Sequence, residues 1–354
     1  MKPRAKYRNL QSRLLLRPIL RRQSVVPAPP PAGVERFLKW YERRVLKPDL
    51  SGIEVDRPIF LVGLPRSGTS MLQDILCSHP DVAFFTNTMH QFRNCFLAAE
   101  DFRRRLRLDF EAERYLGDDV LISPGSPSEA VAFWGKWFQG NVSSLDYREI
   151  RGEEISAEDI ETINLTIRKV LWHFGGRGRR FFSKLLGMFP HLGIVKEIFP
   201  DARIIHILRD ARPAANSLLK LYRREIEHQA RAGARRFIPY PCFPKLAEYA
   251  RLYGLDDIRT AAHLWDDAVS FGGEMTNDLR HFREVRYEDI CANPKKALVS
   301  LLEFCELAPA GDESRVFWKK ISEVKTLRQE NPYPNAEIVE EICRENLRRH
   351  GYLS

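Results

Sequence analysis

The sequence predicts an α/β fold in three layers, with a central parallel sheet flanked by helices. Three observations predict it. Short apolar runs of strand length recur at residues 59–62, 82–85 and 203–208, and another short strand is read at 282–286. Longer stretches with helical periodicity separate them, most clearly Ile160, Ile163, Ile167, Val170, Leu171 and Phe174. Glycine, proline and capping residues mark the junctions, as at Gly175-Gly176, Pro200-Asp201 and Asn293-Pro294. Alternating strands and helices imply right-handed crossovers and ligands at the carboxyl ends of the strands. The chain has 354 residues, 44% of them hydrophobic, enough apolar material for one large domain or one plus a small appendage.

Taken in order, residues 1–24 are basic and contain no acidic residue. Leu10, Leu14, Leu15, Leu16, Ile19 and Leu20 lie among Arg8, Arg13, Arg17, Arg21 and Arg22. This is either an amphipathic helix for an anionic membrane or a partner, or a loosely held basic tail. A Pro/Ala-rich linker over 25–31 and a short helix over 37–46 lead into the core. The expected division is a basic segment and linker over 1–50, then one α/β domain over 51–354 with a helical insertion at about 86–180. Net charge is +9, which favours anionic ligands or surfaces. The arginines are dispersed and no base-stacking module is visible, so nucleic acid is not an expected partner. The six cysteines include no Cys-x-x-Cys pair, which argues for a reducing, cytoplasmic setting and against a zinc site. No apolar run approaches the ~20 residues of a membrane span.

The stretch from Pro58 to Pro80 organises the rest. A buried strand is followed by Gly63-Leu-Pro-Arg-Ser-Gly-Thr-Ser70 and then a helix ending at His79-Pro80. Strand, glycine loop and helix N-terminus together cradle phosphate. Gly63 and Gly68 have the spacing of the ATP-binding loop G-x-x-x-x-G-K-[ST], so the fold is P-loop-like, but Thr69 replaces the lysine. That loss argues against an ordinary ATPase or kinase. Arg66 supplies a cation within the loop instead, beside the hydroxyls of Ser67, Thr69 and Ser70, which suits a less charged anion with no obligatory metal.

Beyond the loop, residues 86–155 read as irregular apart from a helix over about 129–139 bearing Phe133, Trp134, Trp137 and Phe138. Such an aromatic stripe is ordinarily core, with an apolar acceptor pocket as the minority reading. A capping box at Ser156–Asp159 opens the long periodic helix. Phe181-Phe182, with Lys184 just beyond, forms an apolar segment. Arg209-Asp210 closes the strand over 203–208, and a helix begins near Pro213. Residues 223–255 read as basic and irregular, followed by a helix over 258–279. The strand over 282–286 ends at Tyr287. Helices over 297–305 and 336–349 finish the chain. The loop, Arg209 and Tyr287 all fall at carboxyl ends of strands and can share one site.

With these residues in view, Gly63–Leu72 resembles the 5′-phosphosulfate loop of sulfotransferases that use 3′-phosphoadenosine 5′-phosphosulfate (PAPS). The stretch from Phe199 to Ser217 resembles their 3′-phosphate strand and helix, with Arg209 and Ser217 eight residues apart as in that family. Tyr287-Glu-Asp with Asn293-Pro294 resembles the third signature. The likeness spans about residues 57–307 and is nearest the bacterial-type branch with a Pro-Arg-Ser-Gly-Thr loop. It implies that Arg66, Ser67, Gly68, Thr69 and Ser70 hold the 5′ end of PAPS, and that Arg209, Ser217 and Tyr287 hold the 3′ side. A sulfuryl group then passes in line to an acceptor hydroxyl or amine on a small molecule, lipid or carbohydrate. Arg66 stabilises the leaving phosphate. Lys184 resembles a lysine between the two cofactor motifs that contacts the sulfuryl group, though an exposed surface lysine fits the sequence almost as well. The general base departs from the pattern: Glu129 and His90 are the candidates. His79 and His206 read as structural, and Lys325 and Arg328 as weaker candidates for the 3′-phosphate. Arg209 also admits an ion pair with Asp210. The competing classes are a noncatalytic nucleotide binder on this fold and a P-loop nucleotide kinase.

Overall fold

A computed structural model of the chain describes residues 6–20, 28–113, 120–138, 145–184, 186–232, 240–311, 314–325 and 333–354. Eight strands run through the described residues: β1 (Lys6–Tyr7), β2 (Ile59–Val62), β3 (Val82–Phe84), β4 (Phe110–Glu113), β5 (Leu121–Ile122), β6 (Arg180–Lys184), β7 (Arg203–Leu208) and β8 (Phe282–Arg286). Five build the central sheet in the order β3-β6-β2-β7-β8. The β6–β2, β2–β7 and β7–β8 ladders are parallel. Helices flank this sheet, giving the α/β architecture that the alternation predicts.

Sequence neighbours are not all sheet neighbours. β2 lies between β6 and β7, so the chain leaves β2 toward one edge, returns through β6, and passes to the other side at β7. The register Val62↔His206 and Leu208↔Arg286 brings the carboxyl ends of β2, β7 and β8 to one edge. The crevice at such a reversal of strand order is where open α/β sheets bind ligands. β2 and β7 are short and apolar because both faces are covered. Ile59, Phe60, Leu61 and Val62 are all buried, as are Ile204, Ile205, Ile207 and Leu208.

By compactness the chain divides into two units. One comprises residues 1–55, 83–137 and 157–181, and the other 56–82, 138–156 and 182–354. Within the first, β1, β4 and β5 form a small antiparallel sheet against which Leu16 packs, with Leu108, Phe110 and Ala112. The basic segment is therefore folded in part, as a helix from Leu10 to Leu20. In the stretch that reads as irregular, helices form at Asn87–Gln91 and Phe96–Arg105. The second holds because Phe96, Leu97, Ala98 and Ala99 find a buried face. The helix after β7 runs from Ala211 to Ala232, well past residue 223. Its charged second half is rich in good helix formers, and Leu218, Tyr222 and Glu225 continue one buried face.

Candidate functional site

The cradle begins where β2 ends. Gly63 opens the loop, and the helix Thr69–Leu76 starts with Gly68 as its N-cap and no acidic residue in its first turn. That end of the helix is positive and free of a competing carboxylate. Gly68 has φ 93°, and a Cβ there would lie 2.4 Å from the ring Cδ2 of Tyr287. Glycine is thus required both by the left-handed backbone and by the ring against it. Ser67 and Thr69 are buried, and the Ser67 N–H donates within the turn to the Leu64 carbonyl at 3.3 Å.

Three cations reach this loop from three strands. Arg66 takes a left-handed backbone (φ 74°), and its Nε donates to Ser217 Oγ at 2.9 Å. Arg209, the residue after β7, donates from Nη1 to the Arg66 carbonyl at 3.3 Å, and its guanidinium lies 4.9 Å from the centre of the Tyr287 ring. Lys184, the last residue of β6, is buried in the strand rather than beyond it, and its Nζ donates to Ser70 Oγ at 3.3 Å. Arg66, Gly68, Arg209, Ser217 and Tyr287 therefore form one set of contacts, and the Lys184–Ser70 pair adds a second on the same loop. The Arg209 Nε is buried and has no hydrogen-bond partner among the described residues. A buried, unpaired guanidinium donor fits an anion that completes it. Asp210 does not take that role: it pairs with Arg212 at 2.6 Å, and Arg212 is held in turn by Glu340 at 2.8 Å.

Arg66 lies on a glycine loop at a helix N-terminus and Arg209 at the next strand end, and the two meet at the Arg66 carbonyl. A profile of the Sulfotransferase family matches residues 58–310, which span the central sheet and the loop with its three cations. The chain belongs to the sulfotransferase family. The omega-hydroxy-beta-dihydromenaquinone-9 sulfotransferase Stf3 of Mycobacterium tuberculosis is 24% identical over 319 residues, covering 84% of this chain and 76% of that one. The same figures hold for the Stf3 of Mycobacterium bovis. Among solved structures, sulfotransferase STF9 of Mycobacterium avium superposes with a TM-score of 0.55 at 15% identity, over 89% of this chain and 82% of that one. Sulfotransferase STF1 of M. tuberculosis gives 0.50 at 16%, over 95% and 86%. These likenesses show a shared sulfotransferase fold.

The remaining candidates have separate surroundings. His90 and Glu129 belong to the other compact unit, on the segments 87–91 and 126–132. The two segments are joined by main-chain bonds, Asn87 N–H to the Ser126 carbonyl (3.0 Å) and Ser128 N–H to the Phe85 carbonyl (2.8 Å). His90 Nε2 accepts the Ala132 N–H at 3.1 Å, so the proton sits on Nδ1, which donates to Ser128 Oγ at 3.1 Å. Burial pushes its pKa down to about 4. The helix Val131–Phe138 follows, and its rings largely pack inward: Trp134 is buried, Phe133 lies 4.9 Å from Phe85, and the Trp137 indole donates to Asp159.

His79 is a tie between chain segments. Its Nδ1 accepts the Asp81 N–H, so Nε2 donates to the Ala308 carbonyl at 3.0 Å. His206 is buried in β7, 2.9 Å from Glu284. Lys325 is exposed, and Arg328 lies outside the described residues. Trp265 is a contributor that sequence reading missed: its buried indole N–H donates to the Arg209 carbonyl at 2.8 Å. It sits 56 residues downstream in an ordinary amphipathic helix, so no local signal identifies it. Among the described residues no cluster of His, Cys, Asp and Glu could hold a metal ion, and no helix is long and apolar enough to cross a membrane.

Proposed function

We propose that this protein transfers a sulfuryl group from PAPS to a hydroxyl of an apolar or amphipathic small molecule or lipid. The observation that carries the reading is the convergence of Arg66, Lys184 and Arg209 on one loop, with the Arg209 Nε buried and unpaired. Loop N–H groups, Arg66 and Lys184 would hold the 5′-phosphosulfate, with Ser67, Gly68, Thr69 and Ser70 around it. Arg209 and Ser217 would hold the 3′-phosphate, and Tyr287 fixes the Arg209 plane by stacking. PAPS supplies the activated sulfuryl group. The chain supplies position and charge: fixed cations and the helix N-terminus offset the negative charge that gathers on the leaving phosphate. Glu129 is our proposed base for the acceptor proton, because both nitrogens of His90 are already engaged. The name of the M. tuberculosis relative, which specifies an omega-hydroxylated dihydromenaquinone, supports an apolar alcohol as acceptor.

The deciding experiment is calorimetric titration with 3′-phosphoadenosine 5′-phosphate, the expected product, against ATP with Mg²⁺. Tight binding of the former alone is expected. Arg66→Ala and Arg209→Ala should each weaken it by roughly tenfold to a hundredfold, the scale of one charge-assisted contact. A preference for ATP, or near-normal affinity in both variants, overturns the assignment.

A further inference from the structure

In the first compact unit a helix from Ala32 to Tyr41 continues as a π-helical turn from Glu42 to Leu46. Its inner side is conventional: Leu38 is buried against Cys95, Ala98 and Ala99, and buried Glu42 pairs with Lys169 at 2.7 Å. The outward residues are not. Val34, Phe37, Trp40 and Val45 are 45%, 51%, 54% and 51% exposed, and the rings of Phe37 and Trp40 stack at 6.0 Å. Arg36, Arg43, Arg44 and Lys47, interleaved with them, are also exposed. Neither acidic residue of this stretch offsets them, because Glu35 pairs with Lys39 and Glu42 with Lys169.

The charge balance of the whole chain points the same way. Residues 1–47 contain thirteen Lys and Arg against two acidic residues, a net +11. The chain as a whole is +9, so everything after residue 47 sums to −2. Of that excess, +8 lies in residues 1–31 and +3 in residues 32–47, the stretch that exposes Phe37 and Trp40.

We propose that the outward face of residues 32–47 is a docking surface for an anionic lipid bilayer. Aromatic and aliphatic side chains enter the boundary between headgroups and acyl chains, and the flanking arginines bind lipid phosphate. Charge complementarity selects this occupant. A second copy would bring one cationic face against another, whereas an anionic headgroup layer neutralises it. The proposal holds whatever the sulfuryl donor proves to be.

The test is co-sedimentation of the full chain with vesicles of phosphatidylcholine alone and of phosphatidylcholine with phosphatidylglycerol. Binding to the anionic vesicles only is expected, weakening as salt rises. The double variant Phe37→Ser/Trp40→Ser should lose at least tenfold in partitioning. Arg43→Gln and Arg44→Gln should each lose about fivefold and flatten the salt dependence. All variants should keep the wild-type far-UV spectrum and thermal midpoint, which separates lost docking from lost folding. Equal binding to neutral vesicles, or full binding by the double variant, overturns the proposal. So does a wild-type dimer in ultracentrifugation that the double variant abolishes, which would assign the face to a second copy.

Discussion

His90 and Glu129 lie on two segments whose backbones are tied together. His90 has its Nε2 lone pair on the Ala132 N–H and its Nδ1 proton on Ser128 Oγ, so at neutral pH it bonds residues on both sides of Glu129. A neutral imidazole in that position is a clamp on the segment that carries the carboxylate. Accordingly Glu129→Gln should lower kcat by about 10²- to 10⁴-fold, the usual worth of a general base, with the affinity for 3′-phosphoadenosine 5′-phosphate unchanged. His90→Gln should cost less and leave the pH dependence of kcat in place, because the proposed base is still present. The check is a pair of pH–rate profiles with labelled PAPS and an acceptor found by screening. A large loss in His90→Gln with tolerance of Glu129→Gln would exchange the two roles.

At the scale of elements, the helix Ile258–Asp278 determines how Arg209 is held. Gly272 on that helix lets it approach β7 and β8 closely: a Cβ there would lie 2.5 Å from His206 Nδ1 and 3.0 Å from Glu284 Oε1. The same helix carries Trp265, which fixes the Arg209 carbonyl. A side chain at position 272 must lift the helix from the His206–Glu284 pair and with it the Trp265 bond. Gly272→Val should therefore destabilise the fold by ~1–3 kcal/mol, the usual cost of overpacking. It should also weaken binding of the product nucleotide, although Gly272 belongs to no binding motif. Urea melts and calorimetry on one preparation measure both effects. A variant with wild-type affinity would show that Arg209 is positioned independently of this helix.

At the scale of the molecule, neutral histidines that are buried or half-buried in the two units govern the response to acid. Burial lowers the pKa of His90 to about 4, His173 to about 3 and His191 to about 4, each from an ordinary 6.5. His173 is further opposed by Arg104, whose guanidinium lies 2.9 Å from its Nε2. Between pH 6.5 and about 4 the unfolded chain takes up these protons and the folded chain does not, so stability falls as pH drops through that window. Each histidine is worth on the order of 3 kcal/mol across its window. Asp267, pushed up to about 6 by burial, and Asp266, also raised by burial, act in the opposite direction, but the lowered His263, His281 and His350 add to the histidine side. Urea midpoints should thus decline steadily from pH 7 to pH 5, above the range in which ordinary carboxylates titrate. A flat profile would show that these rings accept protons without unfolding. His191→Phe, which removes one of the three, should shallow the slope.

The chain's own pattern determined a good deal. Alternation of apolar runs with 3.6-residue periodicity fixed the α/β class, and the Gly63–Ser70 spacing marked the turn between β2 and its helix, because each depends on residues within a few positions of one another. Arg209 and Tyr287 were legible for the same reason, as the first residues past β7 and β8. Tertiary structure alone decided the rest. Strand order placed β2 between β6 and β7, which put Lys184 beside Ser70 although 114 residues separate them. It also supplied Trp265 to Arg209, packed the aromatic helix inward, and left both nitrogens of His90 engaged. Those outcomes depend on which lone pairs and faces meet across the folded chain, and no local spacing encodes such meetings. The exposure of Phe37 and Trp40 belongs with them: a helical apolar pattern shows that a face exists, and only packing shows which part of it is left for a partner.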